Sequence, residues 1–133
     1  MSTRSLIAVE KNGTVKAMYC HWDGYIENNG VLLLDNYKTQ KQVEQLVSLG
    51  SISSLRSTFE ETKKTRHNDF NSVAEYSTLL SFSQKAVTEH SECEYFYLFT
   101  GGEWLVFSPH FPHVEGDKNF MTQGYELEKI LNN

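Results

Sequence analysis

The sequence predicts an α+β fold: a mainly antiparallel sheet built from two hairpins, about 4–21 and 94–108, with three to four helices packed against it. Three observations carry this reading. Asn12-Gly13 separates two strand-like runs, and Gly101-Gly102 separates a second, more aromatic pair. Between the hairpins, apolar residues recur at helical spacing behind hydroxyl capping residues. A length of 133 residues allows one domain, 1–133, and no repeat or interdomain linker divides it.

The first hairpin follows from turn chemistry. A two-residue type I′ turn needs positive φ at both positions, which Asn-Gly supplies. Such a turn at 12–13 pairs Ile7 with Met18, Leu6 with Tyr19 and Arg4 with His21. Ile7, Val9, Met18 and Cys20 then share one face, and Leu6, Ala8, Ala17 and Tyr19 share the other. Both faces are apolar, so both are expected to be covered. Cys20-His21-Trp22-Asp23-Gly24-Tyr25 ends the strand in a turn.

Residues 30–37 read as helical, with Val31, Leu34 and also Leu33 facing inward. Thr39 and Gln42 form a capping box for a second helix, whose buried stripe is Val43, Leu46 and Val47 and whose stop is Gly50. A short connector follows over 51–56, then a polar, aperiodic stretch over 57–71 that reads as an exposed loop. Ser72 and Glu75 resemble another capping box, opening a helix to about residue 89 with Val73, Tyr76, Leu79, Leu80, Ser83 and Val87 along one side. The second hairpin pairs Phe99 with Trp104, Leu98 with Leu105, Tyr97 with Val106 and Phe96 with Phe107, and belongs at the centre of the sheet. Pro109 and Pro112 stop its ladder, and a last helix spans about 123–131.

Composition narrows function by exclusion. The chain is 39% hydrophobic and 13% aromatic, too rich in core formers for disorder. The longest apolar run, 95–99, is far too short to span a membrane, and the short apolar run at 6–9 is below a secretory h-region. Two cysteines in that context suit reduced thiols in a cytoplasm. Residues 1–88 carry ten Lys/Arg against nine Asp/Glu, whereas 89–133 carry two against eight. With Arg4, Arg56 and Arg66 as its arginines, the chain lacks the basic face that duplex nucleic acid requires. The acidic C-terminal third suits a basic partner surface, although solubility alone accounts for it equally. Nine of the 17 aromatic residues lie in 95–125, alternating over both faces of one hairpin, which is the pattern of a two-sided core rather than a base-stacking platform.

Two constellations bear on chemistry. Cys20 and His21 are adjacent on a strand and point to opposite faces, so they do not make a nucleophile–base pair, and local packing is the better account of both. His90-x-x-Cys93 and His110-x-x-His113 flank the second hairpin, and a turn at 101–102 would oppose Cys93 to His110 and His90 to His113 as a zinc set. The two prolines break the ladder short of that alignment, so no metal or cofactor is expected. No P-loop, GxGxxG, GxSxG or HExxH pattern occurs.

Thr3-Arg4-Ser5-Leu6-Ile7, with Tyr19-Cys20-His21-Trp22-Asp23-Gly24-Tyr25, resembles a family of small phage and prophage proteins. Glu27 and Gly30 also fit that pattern, whereas Ile26 stands where the family has proline; the likeness covers about the first 50 residues. It implies a phage accessory protein and supplies no reaction or catalytic residue. The expected function is therefore a non-enzymatic protein that binds and inhibits a host protein, a defence or regulatory factor, in the bacterial cytoplasm. The alternative is a binder that sequesters a nucleotide immune signal, drawing phosphate donors from Arg4, Arg56, Lys63, Lys64 and Arg66 and a base platform from the 22–25 turn. A metal-dependent hydrolase is the second alternative. The expected binding residues are Arg4, His21, Trp22, Asp23, Tyr25, Lys63, Lys64 and Arg66, on a turn and a loop carried by a rigid scaffold.

Overall fold

In the computed structural model, residues 3–66, 73–109 and 125–131 are described. β1 (Ser5–Lys11) and β2 (Thr14–Cys20) form the first hairpin, with Ile7 opposite Met18 and Leu6 opposite Tyr19. Asn12 and Gly13 have φ of 53° and 87°, the positive pair of a type I′ turn. β4 (Tyr95–Thr100) and β5 (Glu103–Phe107) form the second, with Tyr97 opposite Val106 and Gly101 and Gly102 at φ of 60° and 82°.

The two hairpins meet through their first strands. β1 runs parallel to β4, Ser5 beside Tyr95 through Val9 beside Phe99, so the sheet is mixed rather than purely antiparallel. Short strands β3 (Ala74–Tyr76) and β6 (Tyr125–Glu126) complete the order β3-β2-β1-β4-β5-β6. Central β1 and β4 are apolar on both sides, as a strand covered on both faces must be.

One face packs Ile7, Val9, Met18, Tyr97, Phe99 and Val106 against α1 (Val31–Asn36), α2 (Gln40–Val47) and α5 (Leu127–Leu131). The other packs Leu6, Ala8, Ala17, Phe96, Leu98 and Phe107 against Phe82 and Ala86 of α4 (Leu79–Glu89). At α2, Thr39 accepts from Gln42 N at 3.2 Å and Gln42 Oε1 accepts from Thr39 N at 3.1 Å, the expected capping box.

Tertiary packing corrects several local expectations. In the first helix Leu33 is the fully buried residue, Val31 and Leu34 are half-buried, and a π-helical turn, Ile26–Gly30, precedes it. The 57–71 stretch contains α3 (Phe59–Lys63), capped by Thr58 and anchored by Thr62, whose buried hydroxyl lies 3.2 Å from Tyr37 Oη; residues 67–72, Ser72 among them, lie outside the described residues. Residues 74–76 are strand, because Tyr76 pairs with Val15 at the sheet edge, and the following helix starts only after Thr78 accepts from Ser81 N at 2.9 Å. Its inward residues are Phe82, Ser83 and Ala86, while Leu79 and Leu80 are exposed. The last helix begins at Leu127, after the two-residue β6, so its expected start at 123 lies outside the described residues. Among the described residues, no helix is long and apolar enough to cross a membrane.

Candidate functional site

The turn that follows β2 is built from below by buried polar contacts. Ile52 N donates to Tyr19 O at 2.9 Å, and His21 N and Trp22 N donate to Ile52 O and Ser53 O at 3.1 and 2.8 Å. The 51–56 connector thus acts as a brace that extends the sheet beside the strand end, with Cys20, Ile52 and Arg66 in adjacent rows. Asp23 follows at φ 56°, a left-handed conformation that Asp tolerates better than most residues.

Gly24 is pressed against the first strand. A Cβ there would lie 2.7 Å from Ser5 Cβ and 2.8 Å from Thr3 O. Its N–H donates to Thr3 O at 2.7 Å, and its carbonyl accepts from the buried Tyr97 hydroxyl at 2.6 Å. Asn29, fully buried, donates to Ser5 Oγ at 3.1 Å and to Cys20 Sγ at 3.5 Å, while Asn28 Nδ2 holds Asp23 O at 3.0 Å. The segments 3–7 and 19–25 are therefore in direct contact through Thr3, Ser5, Cys20 and Gly24. Ser5, Asn29, Ile52 and Tyr97 were not legible as site-builders, since each is defined by a partner distant in sequence.

Above this base the side chains face outward. Trp22 is 46% exposed and Tyr25 38%, with the Asp23 side chain also at the surface. His21 packs edge-on against Trp22, ring centres 4.6 Å apart, and its Nδ1 lies 2.9 Å from Tyr19 Oη. Burial raises the Tyr19 phenol above its ordinary value, against the pull of the nearby Arg4 charge. The β1–β2 ladder ends at the Ser5–Cys20 pair, so the expected pairing of Arg4 with His21 is not made: His21 N donates instead to Ile52 O, and Arg4 O accepts from Glu94 N.

Cys20 points into the opposite core from Tyr19 and its partner His21, so the thiol and imidazole stand on different faces. Desolvation raises the Cys20 pKa, and its S–H donates to Trp22 O at 3.5 Å. Of the possible zinc set, Cys93 is buried, with its thiol raised above the usual range chiefly by desolvation, and His90 Nδ1 lies 3.9 Å from Glu92 Oε1. His110 and His113 lie outside the described residues. Among the described residues, no group of three His, Cys, Asp or Glu side chains could hold a metal ion.

The basic residues of the second segment gather elsewhere. Arg56 and Lys64 line an open groove of about 560 Å³ with Asn28, Leu32, Leu55 and Thr65. Lys64 reaches Glu61 at 3.4 Å, an exposed pair of little energetic weight. Lys63 is exposed at the end of α3, and Arg66 lies beside Ile52. The groove thus takes Arg56 and Lys64 from the donor pool, and no aromatic side chain lines it among the described residues. No family model, curated protein or solved structure matches the chain.

Proposed function

We propose that this protein is a non-enzymatic, phage-type accessory protein of the bacterial cytoplasm that binds and inhibits a host defence or regulatory protein, with the 22–25 turn as its contact surface. One observation supports this above the others: Trp22 and Tyr25 stay well exposed, at 46% and 38%, on a turn fixed from beneath by Gly24, Ser5, Asn29 and Tyr97. Large aromatic side chains held rigidly at the surface are what interface hot spots are made of, because little conformational entropy is lost when they are covered. The phage-family resemblance supplies the host context.

The test is a paired pull-down from bacterial lysate with the wild-type chain and a Trp22→Ala variant as bait. A protein retained saturably by the wild type and weakened roughly thirtyfold or more by the substitution is the expected result, the loss typical of a hot spot of about 2 kcal/mol. Equal retention by both baits overturns the assignment of the turn.

The second reading, sequestration of a nucleotide signal, draws on the Arg56 and Lys64 groove. A thermal-shift screen of cyclic and linear nucleotides separates the two, since a ligand at about 100 times its Kd adds about 2.7 kcal/mol of stability. A flat response removes it.

A further inference from the structure

We infer that the groove lined by Arg56 and Lys64 is a regulatory site for a phosphate-bearing anion, which controls the 22–25 turn through Asn28. The inference rests on the reading of that turn as the contact surface and adds the means by which a small ligand governs it.

Asn28 belongs to both places. It lines the groove of about 560 Å³, and its Nδ2 donates to Asp23 O and to Asn29 Oδ1, each at 3.0 Å. Both amide protons are thus spent on holding the turn and its buried neighbour. The carbonyl held in this way belongs to a residue at φ 56°, and a non-glycine residue stays in that left-handed region only while its surroundings keep it there. The rest of the junction is rigid. Ser53 O accepts from Trp22 N at 2.8 Å, and the same connector runs on as Leu55 and Arg56 in the groove wall. Thr65, also in that wall, donates from Oγ1 to Ser54 O at 2.7 Å and accepts at its carbonyl from Ser53 N at 2.8 Å. Asn28 is therefore the one half-buried side chain that joins a fixed groove to a strained turn.

The charges in the groove set the ligand class. The Arg56 side chain has no ion pair or hydrogen bond among the described residues; only its backbone is engaged, by Thr62 and Tyr37. Lys64 has Glu61 as its partner at 3.4 Å, and an exposed pair of this kind yields readily to a stronger one. A phosphate carrying nearly two negative charges outcompetes one carboxylate for Lys64 and fills the Arg56 fork bidentately. Asn28 then meets a better acceptor. A charged phosphate oxygen takes an amide N–H more strongly than the neutral Asp23 carbonyl does, so the occupied groove draws Asn28 from the turn. Asp23 loses its donor, and the turn relaxes from the shape that presents Trp22 and Tyr25. By linkage the effect is reciprocal: the anion weakens the partner, and the partner weakens the anion by the same factor.

The experiment titrates the full chain with inorganic pyrophosphate, at an ionic strength held constant with sodium chloride, and follows the Arg56 Nε–H and the Asp23 and Gly24 backbone N–H resonances by NMR. Saturable shifts at all of them with a single Kd are expected. Arg56→Gln should weaken that Kd roughly tenfold or more, the scale of one charge-assisted hydrogen bond. In Asn28→Ala the Arg56 resonance should still saturate while Asp23 and Gly24 no longer respond. No saturable change at Arg56 overturns the inference, as does a saturated Arg56 with Asp23 and Gly24 unmoved. Shifts at Asp23 and Gly24 that persist undiminished in Asn28→Ala also overturn it. The wild-type titration decides the matter even if Asn28→Ala fails to fold. It contains no partner, so its failure leaves the contact surface standing. If Trp22→Ala keeps the pull-down partner, the contact surface itself fails.

Discussion

Replacing Gly24 with alanine tests whether the 22–25 turn, the proposed contact surface, is held in place by its packing on β1. The added methyl would sit 2.7 Å from Ser5 Cβ and 2.8 Å from both Ser5 Oγ and Thr3 O, about 1 Å inside ordinary contact. Ser5 is fully buried in β1, between β2 and β4, so it has no room to retreat. Relief must come from the turn. Overpacking of this kind costs about 1–3 kcal/mol. Moving Gly24 outward also stretches the 2.7 Å bond to Thr3 O and pulls its carbonyl from the Tyr97 hydroxyl, now 2.6 Å away. Stranding that buried phenol adds about 1–3 kcal/mol. The total is about 2–6 kcal/mol, a large part of a domain's stability. The control is Gly13→Ala, where φ is +87° and nothing lies within 4 Å of the new methyl. It carries the left-handed backbone penalty alone, about 1–2 kcal/mol. Urea unfolding followed by far-ultraviolet circular dichroism compares the two. If Gly24→Ala loses no more than Gly13→Ala, the close packing of the turn on β1 is not what holds it.

Further expectations concern the same region and the core. Asn29→Leu removes the donor to Ser5 and Cys20 from a fully buried site and should destabilise by about 2–3 kcal/mol in the same assay; a loss under about 1 kcal/mol would show that the network is dispensable. Trp22→Ala truncates a half-exposed ring, so its stability cost should stay under about 2 kcal/mol, well below the 3–5 kcal/mol of a buried one, and a larger loss would make Trp22 a core residue. Cys20 and Cys93 are buried, so both should resist a thiol reagent until the chain unfolds; rapid labelling of the native protein would contradict their placement. Burial also raises these thiols above 9.0 and the Tyr19, Tyr37, Tyr95 and Tyr97 phenols above 10.0. The folded state therefore holds those protons more tightly than the unfolded state. The stability they contribute is complete below about pH 9 and is lost as pH rises through the folded-state values. Urea midpoints should hold from pH 7 to 8.5 and fall by pH 10.5, and an unchanged midpoint at pH 10.5 would refute the linkage.

Much of the fold was legible because it is set by residues near one another in the chain. Asn12-Gly13 and Gly101-Gly102 fix both turns, a two-residue turn fixes the register of its strands, and the register fixes the faces, so Ile7 with Met18 and Tyr97 with Val106 follow directly. Thr39 and Gln42 start α2 by the same local logic. What lay beyond local reading was decided by contacts between distant segments. The parallel join of β1 to β4 is stabilised by backbone bonds between residues about 90 apart, which no period-2 pattern encodes. Residues 74–76 carry helical spacing, yet become strand because Tyr76 finds Val15 on a sheet edge already formed. Thr62 reads as loop and becomes a buried anchor because Tyr37 supplies its partner from another helix end. The candidate site divides the same way. Its aromatic turn was visible as Cys20-His21-Trp22-Asp23-Gly24-Tyr25, because glycine and aspartate mark turns by their own backbone preferences. Whether Trp22 would fill the core or face water was not, because burial depends on which surfaces the rest of the chain brings to it. Here Ser5, Asn29 and Tyr97 occupy the space beneath the turn and leave the indole outside.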